Sequence, residues 1–495
     1  MPTRSVPSQP QACWVAPLVG AVLCRQVMQE ALAQEGIRAY WRALTPLVTL
    51  WGMLYQRLCG GSGGSHGGAA PLDAVVSALQ QGEADGLEPD DAHGEPLSVR
   101  LRSVSTAAYN QARQRLPLGL IRRVRERLQA QRLALVPPEE QTWRGHLVRW
   151  LDGTTFRLPP AGDLAATYGR AAGRYGVSHW VIAKSVASFC WASWLVVAHA
   201  EAEHMRSEVA LVRAVVADEP VGTLYVADMG FGIYRLAQVL QHFQQHALVR
   251  LDPRYVPAIL GAPAGTPVAQ VLRPGESRAL VWQHKPGIAC DPTLPCRDVA
   301  GRVLYARLER AGFRPKALSL FTTLTDAQAY PLADLVALYG SRWQVELRYR
   351  DLKTTLGMQY FDVRSVALFR KELEVGLLAY ALIRSAMLSA TAHVAQTHHL
   401  SFACCRRRVA LCWRAPAGAR APTPGPWRQR RVHAGAPGGR DWRVRLAACR
   451  LFAPRHKVAH EPRAVWRTPQ TFPALKGSRQ AARAAHLITL GAISS

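Results

Sequence analysis

The chain has 495 residues, 49% of them hydrophobic, and its 61 lysines and arginines outnumber 34 aspartates and glutamates, giving a net charge of +27 and a pI near 10.4. That apolar content can fill the cores of roughly two to four domains and excludes a disordered protein. The positive field favours a polyanion such as DNA as partner, although the arginine bias of a GC-rich genome accounts for part of the excess.

Residues 12–24, ACWVAPLVGAVLC, follow Arg4 and imitate the apolar core of a signal peptide. The run is too short to span a bilayer and lacks a good cleavage site, so it reads as a buried helix, and neither membrane insertion nor export is expected. Helix-period apolar spacing occupies 25–58 and 105–135, bracketing the glycine-rich GGSGGSHGG at 60–68 and a polar acidic linker near 82–96. This predicts a helical N-terminal domain. Gly60 to Gly64 formally satisfies G-x-S-x-G, but with no strand before it and no helix after it the stretch reads as a linker.

Two apolar runs then close on aspartate and glycine: HLVRWLDGTTF, with Asp152, and GTLYVADMGFG, with Asp228. Such runs read as buried strands that deliver a carboxylate to the C-terminal edge of a sheet, or more blandly as strands ending in Asp-Gly turns. Between them, HAEAEH (His199 to His204) follows the strand WASWLVVAHA and reads as a loop, with no partner segment that would make it a metal site. From about 250 to 315 the chain shows prolines, glycines and short apolar runs. A helix follows, with Asp326 and Thr325 as upstream caps, Pro331 in its first turn and Gly357 at its end. It carries Tyr339, Arg342, Glu346 and Lys353 in the spacing Y-x2-R-x3-E-x6-K, which keeps a phenol, two cations and one carboxylate on roughly one stripe. The stripe suits a phosphate substrate and its metal ions; a surface helix laced with ion pairs has the same charge pattern. Asp152, Asp228 and Glu346 together would hold two magnesium ions about 4 Å apart. No G-x4-G-K-[ST] loop is present, so no nucleotide cofactor is expected.

The ten cysteines include no C-x2-C pair, and neither Cys404 with Cys405 nor Cys290 with Cys296 has the spacing of a zinc site or a disulfide framework, which points to a reduced compartment. From Cys404 to His456 the chain changes character, with 13 arginines, no lysine, one acid, Asp441, and the tryptophans Trp413, Trp427 and Trp442. Helical periodicity is expected to stop there, either because the segment is translated in a shifted reading frame or because it is an arginine- and aromatic-rich DNA-binding tail.

In these motifs the chain resembles the DDE transposases of bacterial insertion sequences, in the subgroup marked by the Y, R, E, K helix. The resemblance runs from about residue 40 to 400 and rests on STAAYNQARQRLP, WLDGTTFRLP, VADMGFGIYRL and TTLTDAQAYPLADLVALYGSRWQVELRYRDLKTTLGM. One departure is Met229, at a position often arginine in relatives. The resemblance implies an α/β fold: a ribonuclease-H-like mixed sheet core flanked by helices (140–250 and 316–400), with a mostly β insertion (251–315), a helical N-terminal domain (1–135) and an arginine-rich C-terminal region (401–495). It implies Asp152, Asp228 and Glu346 as catalytic metal ligands for two Mg2+, with Mn2+ able to substitute, and Tyr339, Arg342 and Lys353 as contacts to DNA. Trp282 is a candidate to stack on a flipped base, or else a sheet core residue. Arg113, Arg115, Arg122, Arg123, Arg125 and Arg127 are candidates for phosphate contacts at the terminal inverted repeats, or else form a solvated helix face. The expected activity is metal-dependent cleavage at element ends and strand transfer into target DNA by a homodimer on double-stranded DNA, in the bacterial cytoplasm and associated with the nucleoid. The competing readings are a decayed, non-catalytic DNA-binding remnant or repressor, and a structure-specific nuclease.

Overall fold

A computed structural model describes residues 20–414 with breaks at 21–22, 39–42, 61–67, 86, 88–94, 174–175, 264, 309–315 and 392–399; the signal-like run before residue 20, most of the glycine-rich stretch and everything after Arg414 lie outside it. The helices of more than five residues are α1 (Arg25–Gln34), α2 (Pro46–Cys59), α3 (Leu72–Gln80), α4 (Thr106–Arg115), α5 (Leu118–Leu133), α6 (Tyr234–His242), α7 (Leu332–Ser341), α8 (Gln344–Arg350), α9 (Val366–Thr391) and α10 (Phe402–Arg414). The strands are β1 (Thr142–Trp143), β2 (His146–Leu158), β3 (Arg170–Gly173), β4 (Gly176–Cys190), β5 (Val196–Glu203), β6 (Leu224–Ala227), β7 (His246–Arg250), β8 (Ser277–Trp282), β9 (Val299–Leu308) and β10 (Lys316–Thr322).

All ten strands join one mixed sheet in the order β3-β4-β2-β6-β7-β10-β9-β8, with β5 also on β4 and β1 on β2. The centre is a parallel run, β2 on β6 and β6 on β7, flanked by antiparallel neighbours. The strands expected between the second aspartate and the helix glutamate extend this same sheet through β10 on β7.

Both faces of the sheet are covered. Val148, Trp150, Leu224, Val226 and Leu248 pack under α2, α7 and α9, whereas Leu151, Tyr225, Ala227 and Val249 pack with α6 on the other side. Alternation along each strand accounts for the division, because successive side chains point to opposite faces. Two-sided burial also explains why these strands read as continuous apolar runs.

The N-terminal helices are held by α9, which is buried along nearly its whole length. Within it, Glu372 pairs with Arg57 of α2 at 2.7 Å and with Arg113 of α4, and Glu374 pairs with Arg122 and Arg125 of α5, each at 2.8 Å. Arg123 and Arg127 pair with Glu35 and with Glu30 of α1. Five of the six arginines expected at DNA phosphates therefore hold ion pairs within the chain, buried at Arg113 and Arg125 and part-exposed at Arg122, Arg123 and Arg127; Arg115 is exposed. Long-range acids, which helical spacing cannot reveal, decide this outcome.

Two further expectations are corrected. HAEAEH lies mostly within β5 instead of a loop, with His199 3.0 Å from Glu374 and Glu201 bonded to Arg370 at 2.6 Å. Helical periodicity does not stop at Cys404: α10 continues to Arg414, burying Phe402, Cys405, Val409 and Trp413 at helical spacing. Cysteine and tryptophan serve there as the apolar stripe among the arginines, and the Trp413 indole donates to the Trp51 carbonyl at 3.4 Å. Residues 415–456 lie outside the described residues. No helix among those described is long and apolar enough to cross a membrane.

Candidate active site

Register brings the two aspartates together. β2 and β6 pair in parallel with Leu151 opposite Ala227, so Asp152 and Asp228 are the next residues on neighbouring strands. Both follow the alternation of Val148, Trp150, Leu224 and Val226, and so belong to the face beneath α7 and α8. The strand does not end at Asp152 as its Asp-Gly pair suggested; β2 runs on to Leu158, paired with β4. β6 does end, and Asp228 caps the short turn Met229–Phe231 by accepting the Gly230 N–H at 2.9 Å. Termination of the partner strand, and not of its own, leaves Asp152 at an edge.

Above this pair, Arg342 places Nη1 4.0 Å from Asp152 Oδ2 and its guanidinium 5.9 Å from the centre of the buried Tyr339 ring. Burial works against the Arg342 charge, yet Tyr339, Asp152 and Asp228 outweigh it and hold its pKa above the ordinary value. Burial, ahead of the charges of Asp228 and Glu208, pushes the Asp152 pKa up to about 7, against the pull of Arg342 and the Gly153 N–H. The helix itself is fastened to the strand: the Tyr349 hydroxyl donates to the Asp152 carbonyl at 2.8 Å, and its ring meets Phe189 edge-on at 5.3 Å.

The predicted single helix is interrupted twice. The backbone tightens at Arg342 and Trp343, where Val345 and Glu346 bond three residues back, and widens into a π turn over Asp351–Thr355. Gly357 ends it with φ of +68°. Glu346 is exposed in the first turn of α8, one turn before Tyr349, and its oxygens do not form a group within 4.8 Å of one another with those of both aspartates. Lys353 lies in the π turn, half-buried; burial first, and the cation Arg157 second, lower its pKa. The structure thus assembles Asp152, Asp228, Arg342 and Tyr339, whereas Glu346 is exposed on α8 and Lys353 half-buried in the π turn. Trp282 packs edge-on against Phe321 at 4.9 Å, as a sheet residue.

Two participants had no signal in the sequence. Glu208 reaches the site from the opposite face of the sheet: a Cβ on Gly153 would fall 2.2 Å from its carboxyl carbon, so glycine makes room for it. Burial and then Asp228 raise the Glu208 pKa, with Lys184 opposing. Arg250, at the end of β7, acts electrostatically on Tyr339 and supplies a cation near a site where Met229 does not.

The raised Asp152 pKa has a consequence for the metal-free protein. A carboxyl that titrates higher folded than unfolded contributes stability present below about pH 4 and lost as pH rises through about 7. In chelator, Asp152→Asn is expected to stabilise the chain at pH 8 by on the order of 2–4 kcal/mol and far less at pH 4, read from unfolding curves at the two pH values. An equal difference at both would show that Asp152 titrates normally.

A family model described as a transposase DDE domain matches residues 143–382, from β1 into α9, a span containing both aspartates, Glu208 and the whole of α7 and α8. The chain carries a transposase DDE domain. The chain is 27% identical over 293 residues to transposase InsG for insertion sequence element IS4 from Escherichia coli strain K12, a match covering 59% of this chain and 63% of that protein. The chain therefore spans under two thirds of the length of that relative. A cryo-EM structure of the piggyBac transposase synaptic complex with hairpin DNA aligns over 82% of this chain and 80% of its own, with 8% identity and a TM-score of 0.42.

Proposed function

We propose that this chain is an insertion-sequence transposase that cleaves DNA at the ends of its element and joins them to target DNA. The observation that carries the reading is the placement of Asp152 and Asp228 just past the last pair, Leu151 with Ala227, of two adjacent parallel strands, with Arg342 4.0 Å from Asp152, inside a transposase domain. We read β5-β4-β2-β6-β7 as a ribonuclease-H-like core, three antiparallel strands followed by two parallel ones, supported by the order of pairing. The helices before residue 135 are assigned to end binding and β8 to β10 to the insertion, with the chain acting as a dimer on two DNA ends.

The donor set fits hard divalent cations: the carboxylates are all-oxygen ligands, and Asp152 is buried among like charges that a cation would compensate. Asp152, Asp228 and Glu346 would hold two Mg2+, or Mn2+ in their place. Bound there, the metals supply activation of water or a DNA 3′ hydroxyl and stabilisation of the leaving oxygen. Arg342 neutralises charge at the scissile phosphate, Tyr339 orients the strand by stacking under Arg342, and Lys353 with Arg157 binds a neighbouring phosphate.

The test is a magnesium-dependent joining assay with paired terminal-repeat ends and a target plasmid. The reading expects cleavage followed by joining that requires two ends. Cleavage without joining would indicate a nuclease, and end binding alone a decayed copy.

A further inference from the structure

The fold assembles a second group of ligands, away from the carboxylates and built of softer atoms. His284, Cys290 and Cys296, spaced H-x5-C-x5-C between β8 and β9, bring one donor atom each to within 4.8 Å of one another. No other set of three histidine, cysteine or acidic side chains comes as close among the described residues. Spacing in the sequence gave no zinc site because the two cysteines are too far apart for a C-x2-C knuckle and the histidine joins only through the fold.

We infer that His284, Cys290 and Cys296 bind zinc, or another thiol-seeking divalent cation, as a clamp on the loop behind Asp228. Two thiols and an imidazole are the donors zinc prefers; closing the group from 4.8 Å to tetrahedral contact, with metal–sulfur bonds of about 2.3 Å, asks only for small side-chain movements. The surroundings are those of a ligand set. One ring nitrogen of His284, Nε2, lies 3.0 Å from the Ile288 carbonyl, which fixes the tautomer and leaves Nδ1 for metal. The Gln238 amide donates to Cys296 Sγ at 3.7 Å, while also bonding the carbonyls of Asp291, Leu294 and Pro295. With three protein ligands, the fourth position falls to solvent, since Cys296 is exposed.

The position gives the clamp a purpose. The His284 ring lies 5.1 Å from that of Tyr234, whose hydroxyl donates to the Arg297 carbonyl at 2.7 Å. Tyr234 opens α6, a few residues after Asp228. Metal binding would fasten the loop to the helix whose preceding turn carries that aspartate.

The experiment uses the full chain, reduced and freed of metal, with Zn2+ and Co2+ as probes. One zinc per chain is expected, together with the thiolate-to-cobalt charge-transfer band of tetrahedral Co2+, which carboxylates cannot produce. Cys296→Ser and Cys290→Ser should lose the band, and His284→Ala should weaken it. Because a variant can fail to fold, the thermal midpoint of the wild type is measured with and without stoichiometric Zn2+: it should rise, and the rise should vanish in a folded Cys296→Ser. Cobalt binding without a thiolate band, or a band unchanged in Cys296→Ser, would each overturn the assignment.

Discussion

Glu372→Ala is expected to destabilise the chain by about 3–5 kcal/mol, because it leaves two buried guanidiniums without a counter-charge. Glu372 shows 3% side-chain exposure, Arg57 3% and Arg113 7%, so solvent cannot take over the lost pairing. Burial alone would raise the Glu372 pKa, but Arg113 and Arg57 hold it below the usual carboxylate range. Arg57 also lies 4.7 Å over the Phe361 ring, and Arg113 keeps its charge through Glu372 despite burial. Replacing the whole triad by apolar residues of similar volume should recover most of the loss, since the cost lies in the stranded charge and not in the missing pair. Denaturant unfolding of the single and triple variants checks this. A single variant within 1 kcal/mol of wild type, on the order of a surface pair, would mean that water enters the cluster.

Arg342→Gln is expected to lower strand transfer roughly 10²- to 10³-fold, the usual cost of removing a preorganised charge beside developing negative charge. It should also move the acid limb of the pH–rate profile to higher pH. The sign follows from the site: Arg342 holds the Asp152 pKa down against burial, so its removal lets that pKa climb above about 7. A carboxylate must lose its proton before it can hold a metal, and more base is then needed. A rate loss with an unmoved acid limb would leave Arg342 as a DNA contact alone.

The residues nearest the site were legible because each obeys a local rule. Apolar runs closed by Asp-Gly or Asp-x-Gly marked β2 and β6, and Gly357 marked the end of the helix by its left-handed backbone. Their meaning was less local. Asp152 is at an edge because β6 stops, which the sequence of β2 cannot express. The arginines of α4 and α5 looked like a DNA face because their acids, Glu372 and Glu374, stand some 250 residues away. Glu208 lies in a stretch with no motif and is admitted by the missing side chain of Gly153. Interruptions at Arg342–Trp343 and in the π turn flank α8, which Tyr349 fastens to β2, and helical spacing is silent on them.

The proposed three-carboxylate metal site is tested most directly by Mn2+ binding to the chain on terminal-repeat DNA, with DNA alone as blank. The wild type should take up two ions, and Asp152→Asn, Asp228→Asn and Glu346→Gln should each lose at least one, while Glu208→Gln keeps both. Wild-type uptake by Glu346→Gln, with loss in Glu208→Gln, would contradict the account and make Glu208 the third ligand.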